Sequence, residues 1–428
     1  MDRREALSRG FLAAAAGGGA EARRMAQKAA GLADESPQLV RLLAAQAAEA
    51  ALDGPAARTA YTAMLGFPEM RLAAHKGLMQ AALAHGDAAE ALAQAQAAYG
   101  LTRTAPWAWR ALLVARLEAA DWAGALDLAS GALDRKIVSP LVAERARAAL
   151  LTAQAAARES DGDPRRRDEA LDLAVGAVKA RPDFTPGAIA AARLMAGDGR
   201  AQRAAQTLEA AWKLHPHPAL WMAYRDLRTD ETPRERAQRL AALAAVNPDV
   251  RESRILMVEQ ALIGGDAGAA RAAASALEGE PTTARLAGLM ARVASAAGDR
   301  DEARAWIARG AAAPQEAEWS DLDPGGRAFA YAPADWAALV LAYAETGALI
   351  HPRFERHEET ISDLPQIPAA YADSAPFISA AESGDPFPPI VDDGDFGDDL
   401  QVAGRDAPAR QGGALAGLRA FGNRGKTR

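Results

Sequence analysis

Cysteine is missing altogether, which removes disulfides, zinc–thiolate sites and thiol nucleophiles from consideration. The absence fits a reducing compartment. Aromatic residues are scarce, at 5% of the 428 residues, although 50% of the chain is hydrophobic. Alanine makes up the difference. It is the best helix former, and β-branched residues are sparse, so the composition points to an all-α chain. No stretch reaches the roughly 18–20 consecutive apolar residues of a membrane span. The opening Met1-Asp2-Arg3-Arg4-Glu5 is not a secretory signal. A basic excess is lacking too: the net charge of −7 argues against general nucleic-acid binding. There is no His-Glu-x-x-His, no Gly-x-Ser-x-Gly and no phosphate loop, and Gly17-Gly18-Gly19 follows no strand. The chain reads as a non-enzyme.

What is present is a repeated turn. Ala297-Gly298-Asp299 sits between two helical patterns, with Ala303 just inside the second. Glycine ends the first helix in a left-handed conformation, and aspartate caps the second. The same signature stands at Gly86-Asp87 with Ala91 and at Gly265-Asp266 with Ala270. Prolines at 37, 68, 106, 140, 182, 216, 248, 281 and 314 are spaced by 31, 38, 34, 42, 34, 32, 33 and 33. A period near 34 with two helices per unit is the tetratricopeptide pattern. Small residues fill its close-packing positions: Ala91 and Ala98, Ala125 and Ala132, Ala204 and Ala211.

The expected fold is therefore all-α, a right-handed superhelical solenoid of about nine tetratricopeptide-like hairpins. Residues 1–315 form the array, 316–350 a capping loop and helix, and 351–428 a largely disordered tail, first acidic and then basic. Residues 373–399 carry eight acids and no Lys or Arg. Within the array, Glu159 to Arg167 reads as a polar loop inserted into the 42-residue step. Thr232-Pro233 reads as a capped helix start where the Gly-Asp turn is missing.

Several stretches resemble the HemY family of bacterial inner-membrane tetratricopeptide proteins. They are Arg4 to Leu12 with Gly17-Gly18, Leu43 to Glu49, and Lys76-Gly77-Leu78-Met79 leading to Gly86-Asp87. Trp319 to Trp336, and Glu345-Thr346-Gly347 through His351-Pro352, are similar to its alphaproteobacterial branch. The resemblance implies a scaffold in late porphyrin and haem synthesis at the cytoplasmic face of the inner membrane. It also implies an N-terminal membrane anchor that this chain lacks, leaving a soluble fragment. The expected partners are proteins, among them haem-synthesis enzymes, and not nucleic acid. An envelope-assembly adaptor unrelated to haem is the generic alternative.

In the repeat pattern, groove-facing positions fall at Lys76, Gln80, Trp107, Arg110, Arg193, Trp221, Arg225, Glu259, Arg285 and Arg292. Arg193, Arg225 and Arg292 share one repeat position. Guanidinium forks match carboxylates, so this row is a candidate site for an acidic peptide or for porphyrin propionates. A solvated charged face is the competing reading. The expected cofactor is none, with direct haem binding and transfer as the alternative. Of the six histidines, His75, His85, His215, His217, His351 and His357, none pairs with another at i, i+4, which favours structural or surface roles. Met70 and Met79 read as core filler, and no metal site is expected.

Overall fold

The computed structural model describes residues 2–32, 37–160, 163–320, 322 and 328–362. Among them the secondary structure is helical, with no strand. Nine antiparallel hairpins follow one another. They are α1 (Arg3–Ala15) with α2 (Gly19–Ala30), α3 (Pro37–Ala50) with α4 (Gly54–Met64), and α5 (Arg71–His85) with α6 (Ala88–Leu101). Next come α7 (Pro106–Glu118) with α8 (Trp122–Asp134), α9 (Pro140–Ser160) with α10 (Pro164–Ala180), and α11 (Thr185–Gly197) with α12 (Ala201–Leu214). The last three are α13 (Pro218–Asp226) with α14 (Pro233–Ala244), α15 (Arg251–Ile263) with α16 (Ala267–Ala274), and α17 (Ala284–Ala296) with α18 (Arg300–Ala311). A short α19 (Ala317–Ser320), α20 (Pro333–Thr346) and α21 (Pro352–Ser362) follow. The array and α20 belong to one compact unit that reaches Phe354.

The turns explain the hairpins. Asp53, Asp87, Asp121, Asp266 and Asp299 each accept a hydrogen bond from the backbone three residues on, at 2.8–3.0 Å. Each thereby satisfies an amide that the helix itself leaves unpaired. Thr232 and Glu235 form a reciprocal capping box at the start of α14, with Pro233 in its first turn. Pro37, Pro106 and Pro140 open first helices, where a missing N–H is no loss. The expected small positions Ala91, Ala98, Ala125, Ala132, Ala204 and Ala211 are all buried. Alanine at these sites lets paired helices approach closely, and larger apolar side chains fill the joints. Gly77 does the same on α5: a Cβ there would lie 2.3 Å from the Tyr61 ring on α4.

Successive first helices touch one another: α1 with α3, α9 with α11, α11 with α13, and α15 with α17. The first helices therefore line the inner side of the array, as in other stacked-hairpin solenoids.

Three features differ from the sequence reading. In the stretch from Glu159 to Arg167, residues 159–160 close α9 and 164–167 open α10. α9 runs 21 residues and α10 runs 17, so the extra residues lengthen the two helices; 161–162 lie outside the described residues. Second, the capping helix expected within 316–350 is present as α20, but its packing partners are α9 and α7 in the middle of the array. Its apolar face joins the core around Trp109, Leu150 and Phe184 rather than extending the stack of hairpins. Third, Pro352–Ser362 is helical where the sequence placed the start of the tail. The remainder of the expected disordered tail, 363–428, lies outside the described residues.

Candidate functional site

Charge ladders run between repeats along the inner face. Arg193 on α11 forms a two-pronged pair with Glu159, 34 residues earlier, on the lengthened end of α9, one prong measuring 2.7 Å. Arg292 on α17 pairs with Glu259 on α15, 33 residues earlier. Arg285 donates to both oxygens of Glu252, also 33 residues earlier, at 2.8 and 2.6 Å. Each arginine therefore already meets a carboxylate of its own chain.

These residues converge most closely at α13, α15 and α17. A cavity of about 520 Å³ is lined there by Trp221, Met222, Arg225, Glu259, Ala284, Arg285, Gly288, Leu289, Arg292, Gln315 and Trp319. Its floor is a buried polar network. The Trp221 indole N–H donates to Glu252 at 2.7 Å. Arg285 bridges Glu252 and Glu316, the latter at 3.1 Å, and its guanidinium lies 4.2 Å from the centre of the Trp319 ring. Arg251 and Thr283 complete the network by donating to Glu316 at 2.6 and 2.5 Å. Burial pushes the Glu252 carboxyl above its ordinary range, against the pull of Arg285. At Glu316 burial pushes the same way, but the hydrogen bonds from Arg251 and Thr283 and the nearby arginine charges hold it below the ordinary value.

The rim is more open. The Arg292 side chain is 56% exposed, whereas its partner Glu259 is 8% exposed. Arg225 is clamped to its neighbour Asp226 at 2.6 and 2.9 Å, and its guanidinium lies 5.9 Å from the centre of the Trp221 ring. A guanidinium carries five donors, and one carboxylate occupies at most two of them. The site thus offers two indoles, aliphatic walls from Met222 and Leu289, and cationic donors at the edge. That combination suits an apolar side chain followed by a carboxylate.

Of the sequence-predicted residues, Trp221, Arg225, Glu259, Arg285 and Arg292 share this cavity. Arg110 does not: it pairs with Glu345 of α20. Arg193 sits with Glu159 on α9 and α11. Lys76 and Gln80 are exposed on α5, and Trp107 is half-buried on α7. Sequence reasoning missed Trp319 and Gln315, which follow the last hairpin and carry no repeat register. It also missed two of the acidic partners, Glu159 and Glu252, although each stands one period before an arginine, and it named Glu259 without pairing it to Arg292.

His75 hydrogen-bonds Gln94 at 2.6 Å, and His85 hydrogen-bonds the Ala81 carbonyl at 2.8 Å. His217 is fully buried, its Nδ1 accepting from the Ala219 amide at 3.1 Å to cap α13. Among the described residues no three His, Asp or Glu side chains converge as metal ligands would. No helix among them is long and apolar enough to cross a membrane.

No protein-family model matches this sequence, and no curated protein matches it. Among solved structures, a tetratricopeptide repeat protein from Parabacteroides merdae is 14% identical. The match covers 57% of this chain and 93% of that one, with a TM-score of 0.30. The tetratricopeptide domain of P58(IPK) is 16% identical over 84% of this chain and 99% of that one, with a TM-score of 0.22. The description of this chain as a solenoid of tetratricopeptide-like hairpins stands on its own helices, turns and period.

Proposed function

We propose that this chain is a non-catalytic scaffold that binds another protein on the inner face of its C-terminal repeats. The observation that carries the reading is the 520 Å³ cavity between Trp221 and Trp319, with Arg225 and Arg292 at its rim. Its floor is prebuilt by the Glu252–Arg285–Glu316 network, so binding orders few side chains there. The partner is a segment that inserts an aromatic or aliphatic side chain between the indoles and places a carboxylate at the rim. In the setting implied by the HemY resemblance, that segment belongs to an enzyme of late porphyrin synthesis at the cytoplasmic face of the inner membrane.

The test is selection of a randomised peptide library on the immobilised chain, in parallel with Arg225→Ala. Asp226, the partner of Arg225, is 63% exposed, so the substitution leaves no buried charge unpaired. Acidic peptides with an apolar anchor are the expected enrichment, weakened about tenfold or more by the substitution, equivalent to about 1.4 kcal/mol. Enrichment of peptides indifferent to Arg225 would sink the site. The haem setting is tested separately, with purified late porphyrin-synthesis enzymes and with haem followed by Soret absorbance. Binding of haem in place of any protein would favour a carrier over a scaffold.

A further inference from the structure

α20 does not stack on α18, the last helix of the array. It lies on the inner faces of α9 and α7, and its Glu345 pairs with Arg110, 235 residues away. Trp336, Val340 and Tyr343, at i, i+4 and i+7, are between 1% and 4% exposed. They enter one core with Trp109, Leu113, Leu150 and Phe184. The Tyr343 ring lies 4.4 Å from that of Phe184, centre to centre. This is the pattern by which an amphipathic helix is read by a groove: an apolar face at helical spacing, with a charge pair at the rim.

The seat is imperfect in two places. The Trp336 indole N–H is buried with no hydrogen-bond partner. A cavity of about 240 Å³ remains between Leu341 and Ala344 on α20 and Trp109, Leu113, Val142 and Ala146 beneath them. The gap is partly open at its rim, and alanine there leaves unmade the contacts that a larger side chain would make. α20 therefore fills its groove incompletely.

We infer that the inner face of α7 and α9 is a helix-binding groove held in cis by α20, and that its outside partner is a better-fitting amphipathic helix. That helix carries aromatic or aliphatic residues at the places of Trp336, Val340 and Tyr343. At the place of Ala344 it carries a residue larger than alanine, and at the place of Glu345 a carboxylate that meets Arg110. The site is distinct from the cavity at Trp221, and each can fail without the other.

The probe is a labelled peptide spanning residues 330–350, followed by fluorescence anisotropy against the full chain. In the full-length Val340→Asp variant a carboxylate faces the apolar seat and drives α20 out. That variant binds the peptide at least about tenfold more tightly than the unaltered chain. A peptide carrying Ala344→Leu binds more tightly again. Arg110→Glu weakens binding, and a peptide with Glu345→Arg restores it. A folded Val340→Asp chain that ignores the peptide would overturn the proposal, and so would an unaltered chain that binds it equally well. Should Val340→Asp fail to fold, Ala344→Leu in the full chain decides. A higher melting temperature and weaker peptide binding support the proposal, and a lower melting temperature contradicts it.

Discussion

Among the described residues four besides glycine hold a left-handed backbone, Leu52, Ala120, Lys136 and Phe329, and the first two sit in hairpin turns. Leu52 and Ala120 have φ of 56° and 52°, in the slot before the capping aspartate. Gly86, Gly265 and Gly298 fill the same slot in other hairpins, at 78°, 76° and 83°. Outside glycine the left-handed region costs about 1–2 kcal/mol, and Leu52 gains nothing in return, being 93% exposed. Leu52→Gly and Ala120→Gly should each stabilise the chain by about 1 kcal/mol in urea unfolding. The aspartate caps were legible in the sequence because their chemistry is local. These two strained turns were legible only as the loss of a glycine.

His217 sets a second expectation at the same scale. Burial pushes its imidazole down to about 3, and the charges of His215, His351 and Arg285 act in the same direction. Its Nδ1 already accepts a hydrogen bond, so a second proton would also break the cap on α13. The folded chain keeps it neutral, whereas the unfolded chain protonates it near 6.5. Its contribution is complete above pH 6.5 and is lost as the pH falls from there toward 3. Between pH 7 and pH 5 this amounts to about 2 kcal/mol. His217→Asn retains a capping side chain and removes the titration. Unfolding at the two pH values should therefore show a smaller acid loss in the variant than in the unaltered chain.

Among the elements, pairing between repeats is as informative as the hairpins themselves. Glu252 is buried and satisfies both Arg285 and the Trp221 indole. Glu252→Ala leaves the Arg285 side chain, 5% exposed, short of its main partner and should destabilise the chain by about 3–5 kcal/mol. The Glu159–Arg193 pair is more exposed, at 14% and 35%, and a double-mutant cycle should return only about 1 kcal/mol. These partners were present in the sequence one period before each arginine, but a groove-facing register alone marks positions without saying what faces them. The lengthened α9 and α10 were misread for a related reason. Glu159 to Arg167 is polar, as loops are, yet arginine and glutamate are also strong helix formers, and the exposed ends of two helices accept them freely.

For the compact unit as a whole, the return of α20 to α7 and α9 decides which part of the inner face is open. The apolar face of α20 is visible in the sequence, but an amphipathic pattern is the same whichever helix receives it. The period of the array fixes which residues face inward, and nothing periodic fixes where a later segment lands. With α7 and α9 covered, the cavity between Trp221 and Trp319 offers, among the described residues, an inner-face site with both apolar walls and cationic edges. The most direct measurement places a photo-crosslinking residue at Met222, inside that cavity, and in a second variant at Leu214, exposed on the second helix of another hairpin. Illumination in the cells of origin should yield a covalent adduct with another protein from Met222. Arg225→Ala should abolish that adduct, and Leu214 should not form it. Equal labelling from both positions, or no adduct from Met222, would contradict the account.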